Sequence, residues 1–193
     1  MVEKEIKEKL LQIAVEIEKC LLQEKEPILV AVEGSAAAGK TTLANLLGQR
    51  FDCNVWHMDD FFLRAVQRTE ERLAEVGGNV DYERFREEVL ANVLAKKAVS
   101  LQKFDCSQME LQEPEIVEYK RLNIVEGIYS THPYFGDIYE LKVFMDIHPE
   151  EQEKRIRRRN FPELAEKFFR VWIPKEQAYL QKYEVKAKAD III

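Results

Sequence analysis

The sequence is short of glycine, cysteine and long apolar stretches, and each shortage excludes a class of protein. Only seven glycines, with 46% hydrophobic and 33% charged residues, exclude a collagen-like or disordered chain. Three scattered cysteines without a Cys-x-x-Cys pair argue against a disulfide framework and a zinc site. No apolar run is long enough to cross a bilayer, and the charged N-terminus is not typical of a signal peptide.

The chain also lacks an excess of positive charge. Its 29 Lys and Arg residues against 35 Asp and Glu residues give a net charge of −6, which argues against general nucleic-acid binding. We therefore expect a cytoplasmic protein whose partner is a small molecule, and neither nucleic acid nor a membrane. The length of 193 residues predicts one domain over residues 1–193.

Short apolar runs alternate with amphipathic stretches along the chain. This alternation predicts an α/β fold with a parallel sheet of about five strands flanked by helices. The predicted strands are residues 28–32, 53–58, 122–125, 141–145 and 189–193. The predicted helices are the N-terminal segment, residues 41–49, a helix capped by Asp81, a basic helix from Pro149, and residues 162–183 with a bend near Pro174.

The N-terminal helix carries an apolar stripe whose members are three or four residues apart. The stripe consists of Ile6, Leu10, Ile13, Ile17 and Leu21. We expect it to pack against the sheet of its own chain, and pairing with another copy in a homo-oligomer is the alternative.

A glycine-rich loop follows the first predicted strand and opens a helix. Residues 34–41, GSAAAGKT, fit the pattern G-x-x-x-x-G-K-[ST], in which backbone N–H groups surround a phosphate. Lys40 is expected to reach the β- and γ-phosphates and to act in catalysis, and the Thr41 hydroxyl to hold Mg²⁺. The predicted ATP contacts in this loop are Gly34, Ser35, Ala36, Ala37, Ala38, Gly39, Lys40, Thr41 and Thr42.

Two carboxylates follow predicted strands and are expected at the same sheet edge as the loop. Glu126 ends the strand LNIVE and is a candidate Mg²⁺ ligand, with an ordinary strand-end acid as the alternative. Asp59, in the segment HMDDFF, is placed to orient an acceptor hydroxyl and to take its proton. A solvated turn is the alternative for Asp59.

Five of the six residues 154–159 are basic. On a helix, Arg155, Arg158 and Arg159 share a face, where guanidinium groups can bind phosphate. We expect at least one of them to act in catalysis. Arg158 is assigned that role, and Arg155 and Arg159 are assigned to ATP binding, although the sequence alone does not choose among them.

The segments GSAAAGKTTLA, NIVEGIY and MDDFF together resemble the uridine kinase and phosphoribulokinase group of P-loop kinases. The resemblance covers about residues 27–193. It implies the P-loop NTPase fold with a helical lid at about residues 150–175 and an acceptor-binding segment at about residues 60–110. It also implies that Asp59 is the general base. The form DDFF is similar to nicotinamide riboside kinases of the same group.

Two further segments resemble the acceptor site of uridine kinases. GGNVDYERF implies that Asp81 binds the ribose, with helix capping as the alternative. KFDC implies that the Phe104 ring stacks on the pyrimidine. The histidine and arginine that uridine kinases have after this segment are missing from DCSQMELQEP.

These observations predict an ATP- and Mg²⁺-dependent phosphotransferase that acts on a small-molecule hydroxyl. A nucleoside 5′-hydroxyl, as in uridine or cytidine, is the first choice, and nicotinamide riboside or pantothenate is the alternative. A regulatory nucleotide switch or a motor-type ATPase would be a different class, and the Asn-Lys-x-Asp segment of a GTPase is absent. Ser35, Trp56, Trp172 and Tyr179 are candidates to line the acceptor pocket, with core packing as the expected role of the two tryptophans.

Overall fold

The structure is a computed structural model that describes residues 2–193, with side chains from residue 8 onward. The strands in this range are, in chain order, β1 (Ile28–Gly34), β2 (Cys53–His57), β3 (Val99–Leu101), β4 (Phe104–Asp105), β5 (Glu110–Leu111), β6 (Glu115–Val117), β7 (Leu122–Glu126), β8 (Leu141–Met145) and β9 (Ile191–Ile192). The α-helices are α1 (Val2–Leu21), α2 (Lys40–Arg50), α3 (Glu70–Ala74), α4 (Tyr82–Phe85), α5 (Ala91–Leu94), α6 (Pro149–Arg159), α7 (Pro162–Lys167) and α8 (Ile173–Lys182).

The central sheet has five parallel strands in the order β2-β7-β1-β8-β9. All five were predicted from the sequence, and the parallel α/β architecture is confirmed. Because the strands are parallel, their carboxyl ends lie at one edge of the sheet. The phosphate loop follows β1 there, and the segment containing Asp59 follows β2.

Both faces of the sheet are covered, as the continuous apolar sequence of β1 predicts. Alternate side chains of β1 enter opposite halves of the core: Val30 and Val32 join one apolar cluster, and Leu29 and Ala31 join the other. All seven residues of β1 are buried. This strand therefore holds the phosphate loop on a support that is packed from both sides.

Helix α1 covers one face of the sheet. Ile13 and Ile17 are fully buried in the same cluster as Val30 and Val143, and Leu10 packs against that cluster. The expected packing within the chain is thus confirmed for the stripe from Leu10 onward. Ile6 lies outside the residues whose side chains are described.

The segment between α2 and β7 contains structure that the sequence did not predict. Strands β3 and β6 form one antiparallel pair, and β4 and β5 form another. Each of these strands has two or three residues, too few to show an alternating apolar pattern. They carry Phe104 towards the carboxyl edge of the sheet.

The bend expected near Pro174 takes the form of a π-helical turn. Residues Phe168–Trp172 form this turn between α7 and α8, and Pro174 lies in the first turn of α8. Trp56 packs in the core as expected, whereas Trp172 is half-buried on the wall of a cleft. No helix within residues 2–193 is long and apolar enough to span a membrane.

Candidate active site

The phosphate loop connects the end of β1 with the first residue of α2. Ala37 and Gly39 have positive φ angles of 62° and 104°, so the backbone turns sharply between them. No described side chain caps the N-terminus of α2, and its first N–H groups are left to bind an anion. The Nζ atom of Lys40 donates a hydrogen bond to the carbonyl oxygen of Ser35 at 2.9 Å. The ammonium group is thereby held against the loop.

Glu126 lies directly beside this loop. The Thr41 hydroxyl donates a hydrogen bond to Oε1 of Glu126 at 3.1 Å. The register of β2 and β7 pairs His57 with Glu126, and Nδ1 of His57 lies 2.5 Å from the same oxygen. This hydrogen bond raises the pKa of His57 above its usual value. The contact of His57 with Glu126 could not be predicted from the sequence, because it depends on which strands are neighbours.

The pair Thr41 and Glu126 fits a magnesium site that is completed by other ligands. Among the side chains of residues 8–193, no three His, Cys, Asp or Glu residues converge on a common point as a full metal site would require. Mg²⁺ usually takes one or two protein oxygens together with water and substrate phosphates. One hydroxyl and one carboxylate beside a phosphate loop are such a donor set.

Asp59 stands in a short 3₁₀ turn, Met58–Phe61, at the end of β2. Asp59 is exposed to the cleft, and the protein atoms that surround its carboxylate raise its pKa above the usual value of 3.8 by partial desolvation. The positive charge of Lys40 opposes this shift. The close approach of Gly127 fixes the turn, since a Cβ atom on Gly127 would lie 2.8 Å from Cβ of Met58.

These groups meet in one cleft with a volume of about 720 Å³. Its floor includes Lys40, Thr41, Asp59 and Glu126. One wall comes from the segment between α2 and β7, and the opposite wall comes from α6, α7 and the π-helical turn. The volume falls within the range of small-molecule sites.

The basic helix α6 places its arginines unequally. Arg155 and Arg159 line the cleft. Arg155 donates a hydrogen bond from Nη1 to the carbonyl oxygen of Ala37 at 3.2 Å, and the guanidinium of Arg159 lies 5.4 Å from the centre of the Phe168 ring. Arg158 is exposed and does not line the cleft in this structure. Its predicted catalytic role stays a prediction.

The two residues assigned to the acceptor by resemblance also differ in their placement. Phe104 lines the cleft. Asp81 is 1% exposed and does not line it. Oδ1 of Asp81 accepts a hydrogen bond from the backbone N–H of Arg84, and Oδ2 accepts one from Nε2 of Gln67 at 2.9 Å. The helix-capping alternative for Asp81 is therefore observed, and ribose binding by Asp81 stays a prediction.

Two buried residues that sequence reasoning missed hold the phosphate loop from the C-terminal helices. Oε2 of Glu176 accepts a hydrogen bond from the backbone N–H of Ala36 at 2.9 Å. Nε2 of Gln152 donates to the carbonyl oxygen of Ala36 at 3.0 Å. A signal for Glu176 exists in the sequence, since this acid interrupts an aromatic helix face with members spaced by four, three and four residues: Trp172, Glu176, Tyr179 and Tyr183.

A third missed residue, Glu33, ties the loop after β7 to β1. Its carboxylate accepts hydrogen bonds from the backbone N–H groups of Tyr129 and Thr131 at 3.1 and 3.0 Å, and from the Tyr179 hydroxyl at 3.2 Å. Burial raises its pKa. Glu33 does not line the cleft of the phosphate loop, so it supports the site from behind.

The fold and the cleft are similar to those of P-loop kinases. A structure described as a possible uridine kinase from Bacillus stearothermophilus superposes with a TM-score of 0.73 at 18% identity, covering 98% of this chain and 99% of that one. A structure from Silicibacter sp. TM1040, provisionally named a fructose transport system kinase, gives a TM-score of 0.75 at 19% identity, with coverages of 95% and 98%. At these identities the likeness shows the fold, which confirms the predicted P-loop NTPase fold.

Similarity of sequence points in the same direction. The chain is 25% identical to a uridine kinase of Ureaplasma urealyticum serovar 10 over 66% of each protein. It is 29% identical to uridine kinase-like protein 5 of Arabidopsis thaliana over 88% of this chain. The matches thus span 66% and 39% of the lengths of these two relatives. No family model matches the chain. The resemblance to the uridine kinase group is confirmed by these relatives.

Proposed function

We propose that this chain is an ATP- and Mg²⁺-dependent kinase that phosphorylates a hydroxyl group of a small molecule. The observation that carries the proposal is the meeting of Lys40, Asp59 and Glu126 in one cleft at the carboxyl edge of the sheet. A carboxylate in this cleft, beyond the one expected to hold Mg²⁺, is what a kinase needs in order to orient an acceptor hydroxyl and take its proton. Our first choice of acceptor is a nucleoside with a free 5′-hydroxyl, which the similarity to uridine kinases supports.

The phosphate loop and α2 bind the triphosphate in this proposal. The first backbone N–H groups of α2, from Lys40 to Thr42, face the phosphates, and the Lys40 side chain lies beside the β- and γ-phosphates. Thr41 and Glu126 hold Mg²⁺, which neutralises charge on the phosphates when it is bound. His57 already hydrogen-bonds Glu126 and orients its carboxylate.

Asp59 acts as the general base in this proposal. The acceptor oxygen forms a bond to the γ-phosphorus, the bond from that phosphorus to the β–γ bridging oxygen breaks, and the hydroxyl proton passes to Asp59. ADP leaves with the electrons of the broken bond. The raised pKa of Asp59 makes it a stronger base than an aspartate with the usual pKa of 3.8.

The predicted lid consists of α6, α7 and the π-helical turn. Arg155 and Arg159 already line the cleft, so a small movement of the lid would bring them against the phosphates. Closure also excludes water, which competes with the acceptor for the γ-phosphate. Other acceptors in the same class, nicotinamide riboside and pantothenate, require the same machinery and a different acceptor pocket.

An ADP-release assay with a panel of acceptors tests the proposal. The panel contains uridine, cytidine, nicotinamide riboside, pantothenate and simple sugars. We expect ATP consumption to increase many-fold with at least one of them and to disappear in Lys40→Ala. If ATP hydrolysis is indifferent to every acceptor, the kinase proposal fails, and a regulatory or motor-type ATPase takes its place.

A further inference from the structure

Glu176 is a buried carboxylate at the wall of the cleft, with one oxygen left unused. It lies in the first turn of α8 and is 6% exposed. Oε2 accepts the hydrogen bond from Ala36 N–H at 2.9 Å. Oε1 has no hydrogen-bond partner among residues 8–193, and the residue lines the cleft. One oxygen of Glu176 therefore serves the phosphate loop, and the other is free to contact a bound molecule.

The hydrogen bond from Ala36 requires an oxygen on Glu176 but not a negative charge. Oε1 is not one of the buried side-chain atoms without a partner, so it is open to the cleft. A neutral glutamine would hold Ala36 through its amide oxygen at lower cost, as Gln152 already holds the other side of the same residue. The presence of an acid is explained if its second oxygen has a partner in the working complex.

Glu176 shares its cleft with the groups proposed for the reaction. Lys40 and Asp59, proposed above for the γ-phosphate and the reacting hydroxyl, line the same cleft. Lys40 attracts the Glu176 carboxylate, Asp59 and Glu33 repel it, and burial raises its pKa. An acceptor that binds beside Asp59 therefore occupies the cleft that Glu176 lines.

Asp81, which the resemblance assigns to a further hydroxyl of the acceptor, is already occupied. Both its oxygens accept hydrogen bonds within the protein, and it does not line the cleft. An acceptor with a second hydroxyl therefore needs another hydrogen-bond acceptor on the wall. Glu176 supplies one within the cleft itself.

We propose that Glu176 determines acceptor specificity by accepting, at Oε1, a hydrogen bond from a second hydroxyl of the acceptor. The chemical class selected is a diol or polyol, such as a sugar or a sugar-containing molecule. This inference rests on the proposed kinase function. A hydrogen bond to a carboxylate is expected to change kcat/KM by about ten- to a hundred-fold.

Acceptor pairs that differ by one hydroxyl test the role of Glu176. The pairs are uridine with 3′-deoxyuridine, uridine with 2′-deoxyuridine, and D-ribose with 2-deoxy-D-ribose, all in the ADP-release assay. We expect the wild-type protein to prefer the complete member of at least one pair by about ten-fold or more. Glu176→Ala also releases Ala36 N–H and should slow both members. It should slow the complete member more than its deoxy partner, so that the preference disappears.

Two further variants separate acceptor recognition from support of the loop. Glu176→Gln keeps an oxygen for Ala36 N–H and loses the charged contact, so most of the preference should be lost while KM for ATP stays the same. Gln152→Ala loosens the other side of Ala36 and does not reach the cleft, so it should raise KM for ATP and slow both members of a pair equally.

The possible outcomes are distinct. If Glu176→Ala slows complete and deoxy acceptors equally, or leaves the preference intact, Glu176 only supports the loop and the inference is overturned. If no acceptor stimulates ADP release in the wild-type protein although ATP binds in calorimetry, the kinase proposal itself fails and the inference falls with it.

Discussion

The hydroxyl of Thr41 donates a hydrogen bond to Oε1 of Glu126 at 3.1 Å and joins the first turn of α2 to the end of β7. Thr41 and Glu126 are 85 residues apart in the chain. The contact brings a phosphate-loop residue next to an acid at the end of a strand. The two oxygens are the Mg²⁺ donors of the account given above.

Glu126→Gln should therefore weaken the binding of Mg²⁺ while the protein stays folded. The amide keeps an oxygen for Thr41 but removes the negative charge that attracts the ion. We expect the Mg²⁺ concentration for half-maximal activity to rise by about ten-fold or more, judged by the usual sensitivity of metal sites. Rates measured against Mg²⁺ at fixed ATP check this, and an unchanged Mg²⁺ dependence would remove Glu126 from the metal site.

Asp59→Asn should lower turnover far more than ATP affinity. The amide cannot accept the acceptor proton, and a general base contributes about 10²–10⁴ in rate. Turnover and the calorimetric Kd for ATP are measured on the same protein. Asp60→Asn is the matched control, because Asp60 is adjacent but does not line the cleft. Equal losses in the two variants would contradict the assignment.

The pH profile gives a second view of Asp59. The base acts in its deprotonated form, and the cleft raises its pKa above 3.8. Activity should thus be present at neutral pH. As the pH falls, activity should be lost at a higher pH than expected for an aspartate with the usual pKa of 3.8. The acid limb of kcat/KM for the acceptor measures this pKa. A limb at or below 3.8 would contradict the environment that the structure gives to Asp59.

The fold was largely predictable because its strands are apolar and its loop motif is specific. The continuous apolar sequence around Val30 is typical of a strand that is covered on both faces of the sheet. The phosphate-loop motif, residues 34–41, follows this sequence directly. The predicted positions of Lys40, Asp59 and Glu126 at one sheet edge follow from strands that run in parallel. The direction of the chain in these parallel strands was sufficient to predict that the three residues lie at the same edge of the sheet.

The remaining parts of the site depend on contacts between distant segments. His57 meets Glu126 because β2 and β7 are neighbours, and Glu176 meets Ala36 because α8 folds back across the loop. The position of Glu176 on an aromatic helix face is visible in the sequence, but the partners Ala36 and Glu126 of these two contacts are not. The strands around Phe104 are too short for periodicity to show them. Sequence reasoning therefore locates the loop and Asp59, the proposed base, and structure is needed for the residues that support them.

His132 should make the protein less stable in acid. It is 5% exposed and stacks on the Tyr82 ring at 4.3 Å, and burial lowers its pKa to about 4 from 6.5. The unfolded chain therefore binds a proton at His132 more readily than the folded protein does. The stabilising effect is complete above pH 6.5 and is lost as pH falls towards 4, with a full loss of about 3 kcal/mol.

Denaturant unfolding of the wild type and His132→Phe at several pH values checks this expectation. Phenylalanine keeps the ring in the stack but does not titrate. The difference in unfolding free energy between the two proteins should shift in favour of the variant as pH falls through this window. Parallel pH profiles for the two proteins would show that His132 is not buried in its neutral form.

Phosphorus NMR of a reaction with ATP and uridine tests the central claim most directly, because it shows where the γ-phosphate goes. The account predicts that a phosphate monoester of the acceptor appears in step with ADP, and that Asp59→Asn suppresses both. Formation of ADP with an equal amount of inorganic phosphate, for uridine and for every other acceptor of the panel, would contradict it.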